Sequence, residues 1–200
     1  MTRYSADHKA RTRKRIVRAA ARRFRKRGYG AAGVDEVMEA AGLTAGGFYL
    51  HFDSKRELLA ETLQLALAQL KGTLLAGTDE LPDLQRLRAV VGRYLSREHR
   101  DHPADGCALP ALASEIAREG PPARKALEEY VVSLVELLAP RMPAGPGLSP
   151  DDRVLATVAL LTGGLLLARA VDDPELSERI LRASRRLAVP ELANEAAKRR

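Results

Sequence analysis

Between Thr44 and Lys55 the chain reads TAGGFYLHFDSK, and three of its side chains, Tyr49, His51 and Lys55, can donate hydrogen bonds to an oxyanion. Lys55 together with the backbone N–H groups that follow Ser54 suits a phosphate. At a helix start, unpaired donors and aligned peptide dipoles favour negative charge. A second group gathers His99, Asp101, His102, Asp105 and Cys107. It lacks a glycine-rich cofactor loop and a metal-binding helix motif, so it reads as a charged surface loop; neither a catalytic site nor a metal site is expected. Cys107 alone has two readings. N–H groups at a helix start favour a reactive thiolate, and a small buried hydrophobe explains the same residue.

The elements that must hold these residues are helices. The chain has 200 residues, 46% hydrophobic and 30% charged, with 4% aromatic content and no Trp. Ala, Leu and Arg dominate, and these lose little rotamer freedom on a helix, which predicts an all-α fold. The net charge of +7 is uneven: up to Leu58 there are 14 Lys and Arg against 6 Asp and Glu, and beyond it 19 against 20. That asymmetry predicts a polyanion partner for the N-terminal end. A single cysteine excludes an internal disulfide and a multi-cysteine zinc site, and places the chain in a reducing cytoplasm. The charged N-terminus lacks the apolar stretch of a secretory signal. Val154–Ala168 is apolar but short of the roughly 20 residues a membrane span needs, which predicts a soluble helix buried on all sides and no membrane partner.

Along the chain, Ile16, Ala20 and Phe24, with Val17 alongside, form a narrow apolar stripe on an otherwise basic helix over 9–27, stopped by Gly28. A membrane-surface helix needs a wider apolar face, so nucleic acid is the better partner. A short helix over 35–41 ends at Gly42. Thr44 is placed to cap a helix over 45–52, and Ser54-Lys55-Arg56-Glu57 is a capping box for a long helix that follows to Leu75. Further helices are predicted over 83–100, 108–118, 123–138, 151–171 and 175–187, nine in all, with a mobile surface loop over 140–150.

Two short helices separated by Gly-Leu-Thr behind a longer one make a helix-turn-helix unit. Residues 12–58 resemble the DNA-binding domain of the TetR family of bacterial repressors, through Thr12-Arg13, Ile16, Ala20, Phe24, Gly28-Tyr29, Val34, Val37, Ala41-Gly42, Phe48-Tyr49, His51-Phe52, Lys55 and Leu58. The resemblance is to a subgroup with a GLTxGGFYxHF recognition helix and a Gly-Cys-x-x-x-x-Leu segment. It implies a DNA-binding domain over 1–56 and a helical ligand-binding and dimerisation domain over 57–200, with no cofactor. Thr12, Arg13, Gly33, Val34, Thr44, Ala45, Gly46, Gly47, Tyr49, His51 and Lys55 would meet DNA. Tyr49, His51 and Lys55 would hold phosphates, while an arm carrying Arg3, Lys9 and Arg11 would add attraction or reach a minor groove. Phe24, Phe48 and Phe52 are read as core, and His51 has the alternative of an idle surface histidine. Gly33 and Gly47 depart from the pattern, since relatives often carry hydroxyl residues there. With Gly46 and Gly47 unable to read a base edge, direct readout falls on Thr44, Ala45 and a few neighbours.

For the second half, Leu63, Leu67, Leu70, Tyr94, Cys107, Leu112, Tyr130 and Leu134 are candidates to line an effector pocket, with ordinary core as the alternative for each. The resemblance implies a homodimer through the last two helices, with Leu155, Val158, Thr162, Gly163, Leu166, Ile180, Leu181 and Leu187 at the interface. Gly163 and Gly164 would admit the partner backbone. The implied partners are a double-stranded, near-palindromic operator, a second copy of the chain and a small-molecule inducer. The implied function is a ligand-responsive repressor, released by the inducer or by modification of Cys107. A sequence-tolerant nucleoid-type DNA-binding protein and a small helical enzyme are the competing readings.

Overall fold

The computed structural model describes residues 2–143 and 147–189, with side chains from Asp7 onward. Among them the regular structure is all helical: α1 (Thr2–Arg27), α2 (Val34–Ala40), α3 (Lys55–Leu74), α4 (Asp83–Tyr94), α5 (Arg97–Asp101), α6 (Leu109–Ile116), α7 (Pro121–Leu138), α8 (Pro150–Ala170) and α9 (Pro174–Ala188). Single 3-10 segments cover Ala45–Leu50, Pro103–Asp105 and Ala139–Arg141. The all-α expectation is met. The chain divides into two compact units, one of residues 1–68 and 107–130, the other of residues 69–106 and 131 onward.

In the first unit the α1 stripe is buried as its spacing requires: Ile16, Ala20 and Phe24 are inaccessible, and Val17 and Ala21 nearly so. They share a core with Val37 and Met38 of α2, Phe48, Phe52, and Leu58 and Leu59 of α3. Each such side chain contributes about 1.5–3 kcal/mol on leaving water. Gly28 ends α1 with φ +90°, its N–H donating to Phe24 O at 2.8 Å. The same unit includes α6, which packs on α1.

In the second unit α8 and α9 form a helical hairpin across Asp172-Asp173-Pro174, with Asp173 capping α9 through the Glu175 N–H at 2.9 Å. Gly164 is what lets them cross closely. A Cβ there would lie 2.5 Å from Ser184 Oγ and 2.9 Å from Ser184 Cβ.

Several expectations change. Residues 45–50 form a 3-10 segment rather than an α-helix over 45–52, because Gly46 and Gly47 leave too little helix propensity in so short a stretch to complete α turns. Thr44 precedes it in extended conformation but makes no side-chain cap bond. The helix expected over 83–100 breaks at Leu95-Ser96, where Ser96 Oγ accepts from the His99 N–H at 3.1 Å and starts a new turn. Helix α1 begins at Thr2, so the expected arm is helical; the Arg3 side chain lies outside the described residues. Cys107 precedes α6 rather than sitting inside it. The loop expected over 140–150 contains a 3-10 segment to Arg141, and residues 144–146 lie outside the described residues. Helix α8 is not buried on all sides: Val154, Leu161, Leu165 and Ala168 face inward, while Leu155, Leu166 and Leu167 are exposed.

Candidate nucleic-acid interface

The 3-10 segment is held from beneath by its aromatic residues. Phe48 and Phe52 are buried and stacked with centroids 5.6 Å apart, and the outward residues are left to solvent. Tyr49 is 73% and Leu50 70% exposed. Thr44, Ala45 and Gly46 are exposed beside them, and Gly47 is half-buried above Met38. Gly33 is the exposed N-cap of α2, where glycine offers no cap side chain, and Val34 behind it is half-buried. Thr44, Ala45, Gly46, Tyr49 and Leu50 thus form one exposed stretch after α2, and Gly33 is exposed separately at the start of α2.

Ser54 caps α3, accepting from the Glu57 N–H at 3.2 Å, while the Glu57 carboxylate reaches the Asp53 N–H at 2.7 Å. The capping box therefore forms with its return bond shifted one residue upstream. Glu57 and Glu61 also hold Arg13: its Nη2 is 2.5 Å from Oε1 of each, and its guanidinium sits 4.0 Å from the Phe52 ring centroid. The hydrogen bond to Glu61 raises the Arg13 pKa, and the one from Arg13 lowers that of Glu57. Arg13 is thus a clamp between α1 and α3, and Thr12 is buried. Lys55 also turns inward. Its Nζ donates to Tyr29 O at 2.5 Å and stands 4.4 Å from the Tyr29 ring centroid, and burial lowers its pKa against the pull of Glu115 and Glu119.

His51 is half-buried, and its Nδ1 is buried without a hydrogen-bond partner among the described residues. Burial first, then Lys9, Arg13 and His8, lower its pKa, so the ring is neutral at pH 7. Arg11, Lys14, Arg18 and Arg22 leave α1 with an exposed basic face, and Lys9 is exposed on the other side of the helix. Of the eleven residues predicted to meet DNA, the exposed stretch brings together Thr44, Ala45, Gly46 and Tyr49, with Gly33 exposed at the start of α2; Arg13 and Lys55 bond within the fold in this structure and Thr12 is buried. Sequence reasoning missed Arg15, whose Nη2 donates to Ala41 O at 2.6 Å and closes the end of α2. Partners 26 residues apart carry no periodic signal.

Elsewhere in the first unit, Cys107 is 2% exposed, its Sγ 3.6 Å from Tyr130 Oη. Burial, then the thiol, push the Tyr130 pKa well up, and burial lowers that of nearby Arg25. Leu63 and Leu112 are buried and Leu67 half-buried in this unit; in the second unit Tyr94 and Leu134 are buried and Leu70 half-buried. A cavity within the second unit is lined by Leu87, Val90, Val91, Leu138, Val154 and Leu161, none of them among the eight pocket candidates. The residues around 99–105 engage backbone and each other, His99 Nδ1 with Tyr94 O at 2.7 Å and Asp101 with Arg100. No group of three metal-ligating side chains occurs among the described residues.

On the α8–α9 hairpin, Leu155, Leu166 and Leu187 are exposed, and Val158, Thr162, Gly163 and Ile180 are half-buried. Leu181 is fully buried within the protomer and belongs to its core. Gly163 has open space beside it, whereas Gly164 faces α9 of the same chain.

Residues 16–62 match the family described as bacterial regulatory proteins, tetR family, and residues 84–184 match the tetracyclin repressor-like C-terminal domain. The chain is 25% identical over 173 residues to an uncharacterized HTH-type transcriptional regulator of the lacX 3′ region of Lactococcus lactis subsp. lactis, covering 84% of this chain and 88% of that protein. A 63-residue stretch is 38% identical to the HTH-type transcriptional regulator TtgR of Pseudomonas putida, covering 32% of this chain and 30% of that one. Among solved structures, a TetR-family regulator from Cytophaga hutchinsonii superposes with a TM-score of 0.76 at 20% identity, over 92% of this chain and 96% of that one. AibR, solved with isovaleryl coenzyme A and operator DNA, superposes with a TM-score of 0.62 at 18% identity, over 90% and 98%. The helix-turn-helix geometry and both family matches lead to one conclusion: the chain belongs to the TetR family of bacterial regulatory proteins and is a DNA-binding transcription regulator.

Proposed function

We propose that the protein is a ligand-responsive repressor that binds a near-palindromic operator as a homodimer. Residues 1–56 read DNA, and residues 57–200 bind the effector and form the dimer. The observation that carries this reading is the exposed stretch Thr44–Leu50, held from behind by Phe48 and Phe52 so that its outward residues are presented without strain on the core. Exposed or half-buried apolar residues on α8 and α9 support a twofold partner. A twofold dimer sets two recognition segments about 34 Å apart, one turn of the duplex. Tyr49 and His51 hold phosphates, and Thr44 and Ala45 meet base edges. AibR shows that its fold accommodates a small molecule and operator DNA together; an inducer acts here by preferring the conformation that fits the operator poorly. Modification of Cys107 is the second route to release. It requires the 107–130 segment to open, because the thiol is covered and faces Tyr130.

Selection of bound fragments from the organism's own genome tests the reading. A shared near-palindrome is expected. Uniform recovery of fragments with no common sequence would identify a nucleoid-type protein instead. Repeating the selection with oxidants on wild type and Cys107→Ser tests the thiol route: release lost in the variant supports it, and release retained assigns Cys107 to the core.

A further inference from the structure

We propose that Glu115 of α6 is a positioning residue for DNA binding, fixing the Gly28–Gly30 turn and through it the start of α3 beneath the recognition segment. The proposal rests on the reading of the protein as a sequence-specific DNA-binding regulator. The contacts form one chain within the first unit. The Gly30 N–H donates to Glu115 Oε2 at 2.6 Å. At Gly28, a Cβ would stand 2.3 Å from Glu115 Oε1, so the glycine there makes room for the carboxylate. Tyr29, between the two glycines, is buried with its ring edge-on to Phe24 at 5.3 Å, and its carbonyl accepts from Lys55 Nζ at 2.5 Å. Lys55 is the first residue of α3, five residues after the 3-10 segment closes at Leu50 and one after the cap Ser54.

The turn does not need Glu115 in order to form. Gly28 N–H donates to Phe24 O at 2.8 Å and Ala32 N–H to Gly28 O at 3.3 Å, both independent of α6. What Glu115 adds is the location of that turn relative to α6. In the turn just past the end of α6, Glu119 reaches Arg56 at 3.9 Å, so Glu115 and Glu119 bear on the first two cations of α3. Burial lowers the Lys55 pKa while Glu115 and Glu119 oppose it, as expected of an ammonium held between the turn and these acids. Helix α6 starts at Leu109, two residues after buried Cys107, and rises about 9 Å to Glu115, so a displacement of its buried start is carried to the turn.

The test compares full-length wild type, E115A and E115Q on the operator fragment recovered by genomic selection and on a scrambled duplex of the same length. E115A is expected to weaken operator binding about tenfold, the scale of one mismatched base pair, with scrambled-duplex affinity unchanged. E115Q keeps an acceptor oxygen for the Gly30 N–H and is expected to restore operator binding. Equal losses on both duplexes, unchanged operator binding by E115A, or an E115Q as weak as E115A would each overturn the proposal. Amide exchange on wild type decides the matter if E115A does not fold: a Gly30 N–H as protected as helix interiors supports the proposal, and one exchanging like an open loop overturns it. Wild type that recovers no specific fragment removes the regulator reading and this proposal together; specific wild-type binding with E115A unaffected removes this proposal alone.

Discussion

At Gly46 nothing lies within 4 Å of the position a Cβ would take, and the backbone has no left-handed φ. Neither packing nor backbone sterics requires glycine at this position, unlike Gly28, where Glu115 fills the space. On the proposed reading, a DNA partner that approaches the segment closely supplies the reason. Gly46→Ala is expected to leave thermal stability unchanged or raise it by about 0.4–1 kcal/mol, since alanine restricts the unfolded chain, while weakening DNA binding. A melting curve and an operator titration read both, and undiminished affinity would remove close approach as the explanation. His51 makes a pH prediction. Its free-state pKa is lowered by burial and by Lys9, Arg13 and His8, and a phosphate oxygen would raise it by favouring the imidazolium. Protonation is then linked to binding, so operator affinity should increase as pH falls from 7 through the pKa of the complex, and level off below that of the free protein. In His51→Gln this rise should vanish; a rise of the same size in the variant assigns it elsewhere.

At the scale of elements, α1 and α3 are joined by Arg13 with Glu57 and Glu61. The Glu57 pKa is lowered by the Arg13 hydrogen bond and then by the Asp53 N–H, so its stabilisation is complete above the unfolded value of 4.5 and is lost as pH falls through the folded one. Because these side chains are about one-third exposed, the contribution is modest, roughly 1 kcal/mol. Glu57→Gln should melt below wild type at pH 7, and the gap should close as pH falls below 4.5; a constant gap would mean that packing, not charge, explains the loss. This clamp also marks where sequence reading stops. The α1 stripe, the Gly28 and Gly42 stops and the Ser54 cap were legible because their signals are local: periodicity, left-handed glycine and a cap at fixed offset. Arg13 with Glu57, Arg15 with Ala41 and Glu115 with Gly30 were not, because a charge on a helix does not announce a partner 26 to 85 residues away. Gly163 and Gly164 make the same point at closer range: spacing grouped them, and only packing separates the one facing α9 from the one facing open space.

For the whole molecule, charge and apolar surface lie at different ends of the sequence. The excess of positive charge precedes residue 59, while exposed leucines recur on α8 and α9, with Leu166 44% and Leu187 69% accessible. On the proposed reading, a protomer alone would bring one short recognition segment and few base contacts, which limits its preference for one sequence over bulk DNA. Joining two through the hairpin face makes the second half-site engagement intramolecular, and avidity of this kind exceeds a single site by about 10²–10⁴. The double variant Leu166→Glu/Leu187→Glu places four carboxylates across the proposed twofold contact at two positions outside the buried core. It should sediment as a monomer with intact helical content, lose about two orders of magnitude or more in operator affinity, and keep the salt-dependent attraction to random duplex that its basic N-terminal end provides. A variant that stays dimeric and keeps native operator affinity would move the interface off this face.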